Sequence, residues 1–231
     1  MSVLHLDRLC RPTSVAVIGA SPRADSVGHI VLRNLADAGF AGALWGVNPN
    51  HEAVAGLPCF PGISALPAAP DLAVICTPPA TLPALIDALG TRGTRAAIII
   101  TALERDAAGM AIRARCLAAA RQTQLRILGP NCVGLLVPGM RLNASFAHTA
   151  GLPGPLAFVS QSGALCTAIL DWANARQIGF SHFVSLGDAM DIDFGDLIDY
   201  LGHLSETRAL LLYIESVMAP RKFLSAARAV A

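Results

Sequence analysis

Residues 14–39 read SVAVIGASPRADSVGHIVLRNLADAG, and the fold turns on them. Val15 to Ile18 is a short β-branched and apolar run, the pattern of a strand buried on both faces. Gly19 ends it, and Ser21, Pro22, Asp25 and Ser26 make a polar loop. Val27, Ile30, Val31, Leu35 and Ala38 then recur at helical spacing, with Ser26 placed to cap the helix and Gly39 to stop it. Strand, glycine turn and helix form the first half of a βαβ unit. Its loop leaves backbone N–H groups and a helix N-terminus facing outward, an arrangement suited to phosphate.

The missing residues narrow the ligand. A dinucleotide fingerprint needs G-x-G-x-x-G, but Gly19 is followed by Ala20-Ser21 and the next glycine is Gly28. The second strand, Leu44 to Val47, ends in Asn48-Pro49 without the carboxylate that would hold an NAD ribose. The loop has no lysine, which disfavours a P-loop. What remains is a phosphate-bearing ligand in a longer loop, or a doubly wound turn with no ligand at all.

At 231 residues the chain is comfortable for two α/β domains, and its net charge of +1 points to neither nucleic acid nor an acidic membrane. An apolar fraction of 54% with only 5% aromatic residues fits buried parallel strands under alanine-rich helices. The uncharged stretch Leu142 to Leu170 is broken by Pro153 and Pro155, so it is not a membrane span. The N-terminal segment carries Asp7 and lacks a signal peptide's apolar core, so a cytoplasmic location is expected. Six scattered cysteines read as reduced, mostly buried thiols, and six histidines show no metal spacing.

Further strands are expected at Asp71–Cys76, Arg95–Thr101 and Leu125–Leu128, with helices at Ala80–Leu89 and Asp106–Gln122 between them. Such alternation means a parallel sheet with its ligand outside the strands' carboxyl ends. Gly19 to Gly28, Asn48-Pro49, the Cys76-Thr77-Pro78-Pro79 turn and Thr101 all fall on that edge. Residues 138–153, rich in Gly, Pro and Asn, read as a linker. The pattern then restarts with strand Leu156–Val159, the turn Ser160-Gln161-Ser162-Gly163 and helix Ala164–Ala175, a second candidate anion site. A strand at His182–Leu186 follows. Asp191, Asp193, Asp196 and Asp199 admit a metal reading, but capping the helix around Gly195–Leu201 is the stronger one, and no metal is expected. Arg208 to Glu215 is the last strand, and Arg221–Ala231 a helix.

SVAVIGAS, VNP, DLAVICTPP, RILGPNCVGLL, LNASFA, AFVSQSGAL, GFSHFVSLGD, DIDFGDLIDYL and LLLYIES, in this order over nearly the whole chain, resemble the NDP-forming acyl-CoA synthetase family. The likeness extends, more distantly, to the α subunit of succinyl-CoA synthetase. Gly187-Asp188 and the LNASF segment are most similar to bacterial protein lysine acetyltransferases, which carry this region ahead of a GNAT domain. The resemblance implies an α/β architecture: a CoA-binding Rossmann-like domain over residues 1–137, then an incomplete flavodoxin-like domain of succinyl-CoA synthetase type over residues 154–231.

On that reading Gly19, Ala20, Ser21 and the helix start at Val27 and Gly28 take the phosphates of CoA or acetyl-CoA. Asn48, Pro49, Cys76, Thr77, Pro78 and Pro79 lie against nucleotide and pantetheine, with Ile100 and Thr101 near the thiol. Ser160, Gln161, Ser162, Gly163 and Ala164 hold a phosphoryl group. Glu215 matches the glutamate that orients the family's phosphorylated histidine, and Asn131 sits in the GPNC turn beside it.

The departures carry equal weight. The phosphorylated histidine is expected beyond Ala231, and no histidine in these 231 residues stands in its motif. An ATP-grasp domain, through which ATP or ADP would act, and a GNAT domain would have to come in cis or in trans. Ala102-Leu103-Glu104-Arg105 replaces the family's Gly-Phe-x-Glu, leaving Glu104 without an assigned contact. The expectation is therefore a CoA-thioester-binding portion of a larger synthetase-like protein, with an acetyltransferase as parent. The alternatives are an α-type synthetase subunit that needs a separate ATP-grasp chain, and a sensor that binds acyl-CoA without turnover. A second sheet without its final strands would expose an apolar edge that favours association with another copy.

Overall fold

The computed structural model describes residues 3–231; Met1 and Ser2, which the sequence reading places in the first domain, lie outside the described residues. A short helix α1 (Leu6–Cys10) leads into β1 (Ser14–Ile18), α2 (Val27–Asp37), β2 (Ala43–Val47), β3 (Ala53–Val54) and β4 (Leu57–Phe60). β5 (Leu72–Ile75), α3 (Leu82–Arg92), β6 (Ala96–Ile99), α4 (Ala107–Thr123) and β7 (Arg126–Leu128) complete a seven-stranded sheet in the order β3-β4-β2-β1-β5-β6-β7. Its pairs are parallel except β3 with β4. β5 and β6 are buried along their whole length, as helices on both faces demand. Strand order reverses between β1 and β5, and that crevice is where a doubly wound sheet takes its ligand.

The second sheet is built from β8 (Gly134–Val137), β9 (Leu142–Ser145), β10 (Pro153–Ser160), α5 (Gly163–Ala175), β11 (Phe180–Ser185), α6 (Phe194–Leu201), β12 (Ala209–Tyr213) and α7 (Pro220–Val230). Its order is β12-β10-β11-β8-β9. β10 pairs in parallel with β11 and β12, while β8 pairs antiparallel with β11 and with β9. β12 forms one edge, with Leu211 and Tyr213 exposed on it.

The linker reading of 138–153 is corrected here. Pro138–Met140 is a tight turn inside the β8–β9 hairpin, and all four residues of β9 are buried. Glycine and proline marked a hairpin and not a flexible joint. Asn34 of α2 donates to the carbonyls of Ser145 (2.9 Å) and Ala147 (2.8 Å), which ties that hairpin to the first sheet's helix. One hydrophobic core runs from Val15 and Val74 through Leu135 to Val159 and Leu197, so the two sheets share an interior.

The acidic segment caps as expected at one end: the Asp193 carboxylate accepts from the N–H of Asp196 (3.1 Å) in a reciprocal capping box. Asp191 and Asp196 serve a second purpose that the sequence did not reveal. They grip Arg126 of β7 at 2.9 Å and 3.1 Å, and Lys222 of α7 closes on Asp196 at 2.7 Å. Burial opposes the Arg126 charge, but the two carboxylates outweigh it and hold its pKa above the ordinary value.

Candidate functional site

The turn after β1 is tight. Gly19 has φ +91°, and a side chain there would strike Thr77 Cγ2 at 2.9 Å. Ser26 caps α2 by accepting from the N–H of His29 (3.3 Å) and donates its own N–H to Arg23 (3.0 Å). The N–H groups of Val27 and Gly28 are left with no acceptor among the described residues. His29 Nδ1 lies 2.9 Å from the carbonyl of Ser21, which folds the loop back over the helix start. At the end of β2, Asn48 donates to the carbonyl of Ala20 (2.6 Å) and accepts from the N–H of Asn50 (2.9 Å), with Pro49 exposed beside it.

The neighbouring strand ends converge on the same crevice. The N–H of Cys76 donates to Ile18 (2.9 Å), and Thr101 Oγ1 donates to the carbonyl of Thr77 (2.7 Å). Pro78 and Pro79 start the turn into α3. Burial pushes the Cys76 thiol up to about 12, so it is a neutral wall rather than a nucleophile.

Across the crevice lies the turn after β10, the expected five-residue anion site, whose members differ in the partners they already have. Ser160 is fully buried, and its hydroxyl both accepts from the N–H of Ser162 and donates to its carbonyl, each at 3.0 Å. Ser162 caps α5 through the N–H of Leu165 (3.3 Å). Gln161 commits its side-chain oxygen to the N–H groups of Glu215 (2.7 Å) and Ser216 (3.0 Å). The free donors are the N–H groups of Gly163 and Ala164.

These halves border an open cavity of about 650 Å³. Val27, Cys76, Ile100 and Thr101 line it from the first sheet, and Asn131, Val133, Phe146, Gly163, Ala164 and Thr167 from the second side. The N-termini of α2 and α5 therefore open on one space, and both favour negative charge there. Asn131, in the left-handed region at φ +57°, donates to Asp188 at 3.4 Å, and Arg113 of α4 anchors the same carboxylate at 3.0 Å. Glu215 is exposed after β12 and does not line the cavity; Gln161, which does, holds its backbone. No group of three or more His, Cys, Asp or Glu among the described residues could hold a metal ion. No helix among them is long and apolar enough to cross a membrane.

Residues 13–138 match the model of the CoA binding domain. The chain belongs to the CoA binding domain family. Residues 153–231 match the succinyl-CoA ligase like flavodoxin domain, so a Rossmann-like CoA-binding domain is followed by a flavodoxin-like one, as expected. The acetate–CoA ligase [ADP-forming] I of Archaeoglobus fulgidus is 35% identical over 228 residues, 98% of this chain and 33% of the relative. The α subunit of acetate–CoA ligase [ADP-forming] I of Pyrococcus furiosus is 35% identical, with 98% of this chain and 50% of the relative covered. The dinucleotide-forming acetyl-coenzyme A synthetase 1 of Ca. Korarchaeum cryptofilum, solved with phosphate and ADP, superposes with a TM-score of 0.93 at 35% identity over 98% of this chain and 50% of that one. The chain thus spans between a third and a half of these relatives.

In the CoA-binding domain the predicted residues Gly19 to Gly28, Asn48, Cys76, Thr77, Ile100 and Thr101 are brought to one edge. Phe146, Val133, Thr167, Arg113 and Asp188 were missed. Arg113 and Asp188 lie 75 residues apart, and no local pattern pairs them.

Proposed function

We propose that this chain is the α-type, CoA-binding part of an ADP-forming acyl-CoA synthetase. The observation that carries the reading is the single cavity onto which the CoA-binding turn and a second helix N-terminus both open. One end suits the thiol of CoA, the other the phosphoryl group of an activated acid. In the thioester-forming step the thiol sulfur attacks the acyl carbon of an acyl phosphate. The carbon–oxygen bond to phosphate breaks, and the thiol proton leaves with inorganic phosphate. Gly163 and Ala164 stabilise the phosphoryl oxygens, and Asn131, aligned by Asp188, supplies a polar group beside the reacting centre.

ATP and ADP enter through an ATP-grasp unit, in cis or as a separate chain, and Glu215 is poised to orient an imidazole that carries phosphate between the two. This favours a synthetase over the acetyltransferase parent and over a non-catalytic sensor, because the relatives above are acid–CoA ligases or synthetases by name. Isothermal titration of the purified chain with CoA, acetyl-CoA and NAD tests the reading. CoA and acetyl-CoA should bind and NAD should not. NAD heat without CoA heat overturns it.

A further inference from the structure

Activated acyl groups react with free amines and thiolates, so a chain that handles them exposes its own side chains to attack. Of its 17 lysine and arginine residues, Lys222 alone is lysine. Arginines supply the cations that pair with Asp71, Asp188, Asp191 and Glu206. A guanidinium stays charged and delocalised at any ordinary pH and is no acyl acceptor.

Lys222, in the first turn of α7, is caged. Its Nζ lies between the carboxylates of Asp193 (2.9 Å) and Asp196 (2.7 Å), and a quarter of its side chain is exposed. The stem crosses the start of α6, where a Cβ built on Gly195 would stand 2.7 Å from Lys222 Cγ. α7 then follows α6 to Gly202, where a Cβ would stand 2.4 Å from Val230 Cγ1. Burial opposes the ammonium charge, but the hydrogen bonds to Asp196 and Asp193 outweigh it and hold the pKa above the ordinary value. The lone pair that would attack a carbonyl carbon is therefore held by a proton. The six thiols are closed by another route. Five are buried and Cys76 is half-buried, and burial raises them all, Cys116 and Cys166 to about 11 and Cys10 and Cys76 to about 12. The thiolate, which is the nucleophile, is scarce at every one.

Resting on the synthetase reading above, we propose that this chain is proofed against its own acyl phosphate and acyl-CoA, and that Lys222 is its one side-chain acylation site, gated by Asp193 and Asp196 while α7 lies on α6. When the cage opens, the ammonium gives a proton to water and Nζ attacks the acyl carbon of an acyl phosphate. The carbon–oxygen bond to phosphate breaks, a second amine proton leaves with the phosphate, and a neutral amide remains. That amide removes one of the two cations on the buried Asp196 carboxylate and leaves Arg126 alone to hold it, so acylation keeps α7 from redocking.

Peptide mass spectrometry tests this after incubation of the purified chain with acetyl phosphate or with acetyl-CoA, with Nα-acetyllysine in the same tube as the reference amine. Lys222 should acetylate at least about tenfold more slowly than the reference, the factor for one unit of pKa, and no cysteine should carry acetyl. Asp193→Asn keeps a capping oxygen but removes one carboxylate charge, and should speed Lys222 by about tenfold. Asp37→Asn, at the end of α2, should change nothing. In a urea series the parent's Lys222 should reach the reference rate only across the unfolding transition. Acetylation of Lys222 at the reference rate in the folded chain, acetyl on a cysteine, or a rate indifferent to Asp193→Asn overturns the proposal. The donors are supplied directly, so a failed CoA titration would overturn the synthetase reading alone and leave the caging of Lys222 standing.

Discussion

A Cβ built on Gly28 would stand 2.0 Å from the carbonyl oxygen of Gly19. The first turn of α2 thus rests directly on the turn that closes β1, and only hydrogen fits between them. The family resemblance placed Gly28 among the residues that take the CoA phosphates; its closest neighbour in the structure gives it a packing task first. Gly28→Ala should destabilise the chain by about 2 kcal/mol or more, the range for forced overpacking. Urea midpoints measure it, and CoA affinity should fall in the same variant because the loop must shift. A variant as stable as the parent would mean that α2 has slack at its start.

Charge burial sets a second expectation. Arg126 is 8% exposed and pairs with Asp196, which is fully buried, whereas the Arg11–Glu206 pair has side chains 45% and 38% exposed. Removing one partner of a buried pair strands the other's charge, at about 3 kcal/mol even with Lys222 retained. Arg126→Met should cost that much in thermal or urea unfolding, and Arg11→Met less than about 1 kcal/mol. Equal losses would refute the view that the Arg126 cluster fastens the two sheets.

His182 supplies a pH dependence. It is fully buried on β11, neither ring nitrogen has a hydrogen-bond partner, and burial lowers its pKa from 6.5 to about 4. Above pH 6.5 both folded and unfolded chains carry it neutral. Between 6.5 and 4 the unfolded chain binds a proton that the folded chain refuses, so stability falls as pH drops, by up to about 3 kcal/mol. Below about 4 the loss from this group levels off. His182→Leu should flatten the window between 6.5 and 4 in urea midpoints taken across pH. An unchanged slope would assign the acid sensitivity to other groups.

How far the sequence carried is visible in particular residues. Val15 to Ile18 and Gly19 were legible because a fully buried parallel strand ending in glycine has few other meanings. Ser26 and Asp193 were likewise readable as caps, and each accepts the N–H three residues on; Asp106, expected as the first residue of its helix, caps that helix in the same way. The β8–β9 hairpin was not, since its Pro138-Gly139 turn and buried Asn143 look like linker composition until Ser145 is seen to satisfy that asparagine at 2.5 Å. The free N–H pair of Gly163 and Ala164 could not be separated from Ser160 by pattern alone. All five residues are small or polar, and only the fold shows which N–H groups already have acceptors. Arg126 with Asp191 and Asp196 was equally hidden, because tertiary pairing across 65 and 70 residues leaves no periodic trace.

Gln161 offers the last expectation. Its side-chain oxygen accepts from the N–H groups of Glu215 and Ser216 at once, at 2.7 Å and 3.0 Å, so one side chain fixes the backbone that presents Glu215. The two amides have no other acceptor among the described residues, and both residues are otherwise exposed. Gln161→Ala hands both N–H groups to water at a net cost of about 1–2 kcal/mol, spread over the turn. Hydrogen exchange at Glu215 and Ser216 should then accelerate by about tenfold or more, while β10 and β11 keep their protection. Gln161→Glu retains an accepting oxygen and should restore most of the protection, which distinguishes loss of the acceptor from loss of bulk. Unchanged exchange in Gln161→Ala would show that the turn holds itself, and Glu215 would then owe its place to β12 alone.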